Sequence, residues 1–201
     1  MLSGLSSSSD LSVDELLEKF SSGSARQQRS LIPAVEKAAD QLALMGEGAL
    51  ASFDREGDEW TAGWILQTLH RHQPAVLSPL CGDSGGWFVT GSECDLDYSP
   101  LQQALLEERF EEADRLTSVF LRKLAGEQAE RRGYVYFSEV MPMSGLDLVT
   151  MDRLWIAYSQ GRFGFTVQAR LLATLNGRYE KLWPRIGWKR EGVWTRYPNA
   201  F

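Results

Sequence analysis

A chain of 201 residues, 43% of them hydrophobic and 11% aromatic, is long enough for one large domain or two small ones and apolar enough to fold around its own core. The net charge of −6, from 21 Lys and Arg against 27 Asp and Glu, argues against a general nucleic-acid binder. Two cysteines, Cys81 and Cys94, with no second pair of metal ligands nearby, argue against a disulfide framework or a structural zinc site. No stretch is apolar long enough to span a bilayer, and the Ser-rich start lacks the basic and apolar regions of a signal peptide. A cytoplasmic protein is expected, with any membrane contact peripheral.

The first helix is announced by Ser12, Val13, Asp14 and Glu15, whose Ser and Glu have capping-box spacing, with Leu16, Leu17 and Phe20 as the apolar face behind it. Serines at 21, 22 and 24 interrupt it. The pattern over 26–45 carries Leu31, Ile32, Val35, Ala38, Leu42 and Leu44, and Pro33 is expected to divide a short helix from a longer one. Gly46 and Gly48 end that pattern. A helix is expected over 49–55, and another over 59–72 with Trp60, Trp64, Ile65 and Leu69 at core spacing, closed by Pro74. Together 1–76 read as a small antiparallel bundle.

Residues 77–97 have turn composition and read as a linker, within which Trp87, Phe88 and Val89 form either a short strand or an apolar anchor. Gly82 to Gly86 has the letters of a serine-protease nucleophile loop, but with both histidines, His70 and His72, at a helix end and no surrounding strands, chance explains it. No phosphate-binding glycine loop precedes a helix, and the chain reads as non-enzymatic.

The second domain, 98–201, opens with Ser99 as an expected N-cap and Pro100 at the first helical position. A helix over 109–124 turns Phe110, Ala113, Leu116, Thr117, Phe120, Leu121 and Leu124 inward and stops at Gly126. The acidic cluster of Glu107, Glu108, Glu111, Glu112 and Asp114 reads as a solvated face. An extended segment over 133–137 leads to Val140, Met141 and Met143, side chains able to re-pack around a large apolar ligand or to fill a core. Leu148, Met151, Leu154, Trp155 and Tyr158 then mark one helix, and Val167, Leu171, Leu172 and Leu175 another. Gly161 and Gly164 suit the corner between them, Thr166 is placed to cap the second helix, and Trp155, Phe163 and Phe165 are expected to fill the elbow. The chain from 178 onward is basic and rich in aromatics, which points to an anionic ligand or partner.

The run 147–168, with Ala113, Asp114, Thr117, Leu124, Ala125 and Gly126 before it and Leu182, Trp183, Pro184, Arg185, Ile186, Gly187 and Trp188 after it, resembles the genomes-uncoupled-four family of tetrapyrrole-binding proteins. The resemblance covers 98–201. It implies an all-α protein that binds protoporphyrin IX and Mg-protoporphyrin IX and stimulates magnesium chelatase in chlorophyll biosynthesis, with the porphyrin-binding large subunit of the chelatase as partner. It carries Phe137 and Val140 onto the family's hydrophobic palm, and Trp188, Trp194, Arg196 and Tyr197 onto the aromatic segment beside it. A porphyrin asks for a broad apolar surface, rings to lie against it and cations for its propionates. Phe137, Val140, Met141, Trp188, Trp194 and Tyr197 are the candidates for the surface, and Lys189 and Arg196 for the carboxylates. No histidine falls in 98–201, so bound magnesium is expected to keep water as its axial ligand. Family members usually continue beyond the position of Phe201 into an Arg-bearing loop, so weaker and faster-releasing binding is expected here. A monomer is expected, and the rival reading is a helical adaptor whose aromatic C-terminal surface docks another protein without a ligand.

Overall fold

The computed structural model describes residues 11–81 and 86–194. Helices α1 (Val13–Ser22), α2 (Ala25–Lys37), α3 (Ala39–Met45) and α4 (Trp60–His72) form the N-terminal bundle, followed by the short α5 (Leu77–Cys81). Then come α6 (Ser99–Leu106), α7 (Phe110–Ala125), α8 (Glu127–Arg132), α9 (Gly145–Tyr158), α10 (Phe165–Thr174) and α11 (Tyr179–Arg185). Two short antiparallel strands, β1 (Lys189–Arg190) and β2 (Val193–Trp194), complete the described chain, with Lys189 opposite Trp194 and Arg190 opposite Val193. The protein is mostly helical, as its periodicity predicts.

Capping sets where the first helices begin. Ser12 accepts from the Glu15 amide while Glu15 accepts from the Ser12 amide, the reciprocal arrangement that satisfies two otherwise orphaned N–H groups. Ser24 and Gln27 repeat it at the start of α2. Pro33 does not divide α2: the helix runs through it, held by buried Leu31 and Val35 on either side, and the break comes after Lys37 at Ala38. The expected helix over 49–55 is instead a 3-10 turn, Gly46–Leu50, followed by irregular chain. Ser99 is the first residue of α6, not its cap; Tyr98 takes that position, and Asp97 accepts from the Ser99 amide.

One buried cluster extends from Leu16 in α1 to Tyr158 in α9. Its seam is α4 against α9, so close at Gly63 that a Cβ there would stand 2.1 Å from the Ala157 carbonyl oxygen. Gln67, buried one turn along, donates to the carbonyls of Leu105 and Tyr158 and so stitches α4 to α6 and α9. On the surface Arg71 pairs with Glu36 and Glu108, joining α2 and the α6–α7 turn through α4. The stretch expected as a linker is packed into the same core: Trp87 and Phe88 are buried, and Gln102 accepts from the Phe88 N–H and donates to its carbonyl. Trp87 and Phe88 serve as the anchor while Val89 is exposed, and none of the three is in a strand. No helix among the described residues is long and apolar enough to cross a membrane.

Candidate functional site

The α9–α10 corner is built as its glycines require. Gly161 has φ +69°, and its N–H donates to the Ile156 carbonyl to close α9. Gly164 has φ +137°, and a Cβ on it would come within 2.6 Å of Asp152 Oδ1. Only glycine lets α10 start so close to α9. Thr166 does not cap α10; its own N–H donates to Asp152 Oδ1 at 3.1 Å, so the cap is supplied by α9. Trp155 stacks on Phe110 at 6.2 Å, meets Phe163 edge-on and donates its indole N–H to Thr117. Phe163 and Phe165 are not sealed inside: 43% and 37% of their surfaces remain exposed. Phe165 opens α10, which contributes no buried residue to the core, and Phe163 lies in the corner before it.

Beside this corner lies a groove of about 520 Å³. Leu121 of α7, Leu148, Val149 and Asp152 of α9, and Phe165 and Thr166 of α10 form three of its sides, and the segment from Val135 to Met143 forms the fourth. That volume lies within the range of small-molecule sites, and the lining is overwhelmingly apolar, as such sites are. Phe137, 90% exposed, and Met141, 86% exposed, sit on the 135–143 segment as large apolar side chains with little of the protein over them. Exposure on this scale, next to a hollow, marks a surface meant to be covered.

A latch holds the segment. Arg132, at the end of α8, pairs with Glu139 at 2.6 Å, donates to the Tyr134 carbonyl, and places its guanidinium 3.9 Å from the Tyr136 ring centroid and 4.7 Å from that of Tyr134. Glu139 also accepts from the Tyr136 N–H, and this bond, with the Arg132 pair, holds its carboxyl below the ordinary range despite the opposing effect of desolvation. Tyr136 therefore turns one side to Arg132 and contributes to the groove lining as well.

Asp147 anchors the opposite wall. Fully buried, it accepts from Ser92 Oγ at 2.5 Å, the Glu93 N–H at 3.0 Å and Tyr98 Oη at 2.8 Å. Burial pushes its carboxyl up, but the bonds from Ser144, Ser92, Glu93 and Tyr98 outweigh that and hold it below the usual carboxylate range. The N-terminal turn of α9, which carries Leu148 and Val149, is fixed by these bonds.

Of the residues expected to form the site, Phe137 and Val140 line the groove. Met141 lies on the same segment, outside the lining. Trp188, Lys189 and Trp194 belong to a separate cluster after α11: Trp183 and Trp194 rings lie 4.8 Å apart, Lys189 Nζ sits within 6 Å of both, and Trp188 is half exposed. They are not among the groove lining. Arg196 and Tyr197 lie outside the described residues, as do residues 82–85 of the Gly-rich run. Tyr136, Val149, Asp152 and the latch residue Arg132 escaped the sequence reading, and Phe165, expected to fill the elbow, lines the groove. One signal was available: Leu146, Leu148 and Val149 make the start of α9 apolar on more than its core face, and a helix apolar on two faces has a second surface to cover. No cluster of His, Cys, Asp and Glu among the described residues could hold a metal ion.

This combination defines a mainly helical protein organised around an open apolar groove with an aromatic rim. Residues 91–201 match the GUN4-like family, and the chain belongs to that family. It is similar to the Ycf53-like protein of Synechocystis sp., 37% identical over 199 residues that span 94% of this chain and 82% of the relative. A chloroplastic protein of Arabidopsis thaliana named tetrapyrrole-binding protein is 36% identical over 93 residues, 46% of this chain and 35% of the relative. Among solved structures, GUN4 from Chlamydomonas reinhardtii superposes with a TM-score of 0.53 at 34% identity, covering 56% of this chain and 74% of that one.

Proposed function

We propose that the groove binds a tetrapyrrole, protoporphyrin IX or Mg-protoporphyrin IX, and that the loaded protein stimulates magnesium chelatase by engaging its porphyrin-binding large subunit. The carrying observation is the 520 Å³ apolar hollow flanked by exposed Phe137, Val140 and Met141, a shape that suits a flat hydrophobic ring. The name of the Arabidopsis relative supports the ligand class. Covering about 300 Å² of ligand apolar surface gives about 7 kcal/mol before association costs, so micromolar affinity requires polar contacts as well. In this reading Trp188 and Trp194 offer further aromatic surface to the ring and Lys189 a cation to its propionates; Arg196 and Tyr197, given the same role by the family resemblance, lie outside the described residues. The groove lining contains no histidine, and magnesium in a bound ring would draw on oxygen rather than nitrogen donors.

The region 98–201 then carries the ligand and 1–76 serves as its scaffold. The protein works as a cytoplasmic monomer with peripheral membrane contact, and its role is delivery, not catalysis. Titration with deuteroporphyrin, following tryptophan quenching and the Soret band, tests the ligand; chelatase assays with and without the chain test the partner. Absence of both spectral changes would favour an adaptor that docks a protein on the same surface.

A further inference from the structure

Within this apolar groove there is one charged lining residue among the described ones, Asp152. Its side chain is not there by default: the residue is 7% exposed, and carboxylates are seldom buried unless something holds them. Oδ1 is taken by the Thr166 N–H at the start of the ten-residue helix α10, an end that favours negative charge. Oδ2 has no hydrogen-bond partner and the residue no ion pair among the described residues. Three arginines close by in sequence or beside the groove donate elsewhere: Arg153 to the carbonyls of Gly57 and Arg55, Arg132 to Glu139 and the Tyr134 carbonyl, and Arg170 to the carbonyl of the lining residue Thr166. Gly164 lies beside Oδ1, where an added Cβ would come within 2.6 Å of it.

A fixed negative charge on an otherwise apolar wall does not attract an apolar ring, but it discriminates against an incoming carboxylate. Like charges brought together away from water repel far more strongly than in solvent. On the reading that the groove takes a porphyrin, we infer that Asp152 is a specificity-determining residue: it keeps propionates away from the groove wall, so the ring enters by an edge free of carboxylates, with its acid groups turned outward. A dicarboxylic porphyrin with both propionates on neighbouring pyrroles has such an edge. A tetracarboxylic porphyrin with a propionate on every pyrrole has none, and is rejected. The groove thus takes the late, decarboxylated class of porphyrins and excludes their acid-rich precursors.

The experiment compares deuteroporphyrin IX with coproporphyrin III on the full chain and on Asp152→Asn, by tryptophan quenching. Asparagine has the same shape and can still accept from the Thr166 N–H, so relief of exclusion in the variant reports charge, not space or folding. The wild type is expected to bind coproporphyrin at least about thirtyfold more weakly than deuteroporphyrin, and Asp152→Asn to narrow that ratio about tenfold, whatever it does to the affinity for either porphyrin alone. Raising salt should narrow the gap for the wild type more than for the variant. Equal affinities for the two porphyrins in the wild type, or the same preference in both proteins, would overturn the inference. Failure of deuteroporphyrin itself to bind the wild type would instead bring down the porphyrin reading on which it rests.

Discussion

Replacing Asp147 by asparagine keeps the shape of a side chain that fixes the start of α9 and removes its charge. Three donors, Ser92 Oγ, the Glu93 N–H and Tyr98 Oη, point at its two oxygens, and the residue has no exposed surface. Bonds to an ionised acceptor contribute about 1 kcal/mol more each than bonds to a neutral one, so the variant should lose about 3 kcal/mol. For a chain of this size that lowers Tm by roughly 6–12 °C. The pH dependence supplies the sharper test. The folded carboxyl is held below its unfolded value, so its contribution is complete above the unfolded-state value of about 3.9 and is lost as pH falls through the lower folded value. Urea denaturation of both proteins from pH 7 to pH 3 isolates this residue, since every other carboxylate is common to the pair. The stability difference should be largest at neutral pH and shrink at the acid end. A difference that is negligible at pH 7, or constant across the range, would refute the account.

Gly63→Ala should destabilise the protein by roughly 1–3 kcal/mol in urea denaturation, even though alanine is the better helix former by about 1 kcal/mol, because its methyl would meet the backbone of Ala157. A variant as stable as the wild type would mean α4 and α9 are not in such close contact. Phe137→Ala should leave Tm within about a degree or two, as expected for a residue 90% exposed, while weakening deuteroporphyrin about tenfold; an unchanged affinity would remove that ring from the site. Glu139→Gln should release Arg132 and loosen the 133–143 segment, so stopped-flow dissociation of deuteroporphyrin should quicken severalfold with little change in association. An off-rate equal to the wild type's would show the latch to be irrelevant to binding.

Local grammar was legible in the amino-acid order. The Ser12–Glu15 capping box, the positive-φ glycines at 46, 161 and 164, and the inward face of α7 are all where spacing placed them, because each depends on residues within a turn or two. Pro33 misled because its cost is local while the burial of Leu31 and Val35 is tertiary, and the tertiary term keeps the helix whole. The groove was legible only in part for a related reason. Phe120 and Phe137 are the same residue, yet one is 5% and the other 90% exposed, and no periodicity distinguishes a ring that fills a core from one that rims a hollow. Asp152 was hidden more thoroughly, since its partner is an amide fourteen positions away, across a turn.

The two buried acids of α9 explain how so much apolar surface can stay uncovered. Leu148 and Val149 lie between Asp147 and Asp152, and five residues of helix set those carboxylates roughly 140° apart around the axis. Asp147 reaches back to residues 92–98, and Asp152 reaches forward to α10. A wall that must remain open to receive a ligand cannot be held by hydrophobic collapse, which would close it. It has to be held by directional bonds made behind it. Periodicity reports the side chains that collapse, so it found the core of α9; the bonds that keep the groove from collapsing are made by residues that, read singly, looked like ordinary helix acids.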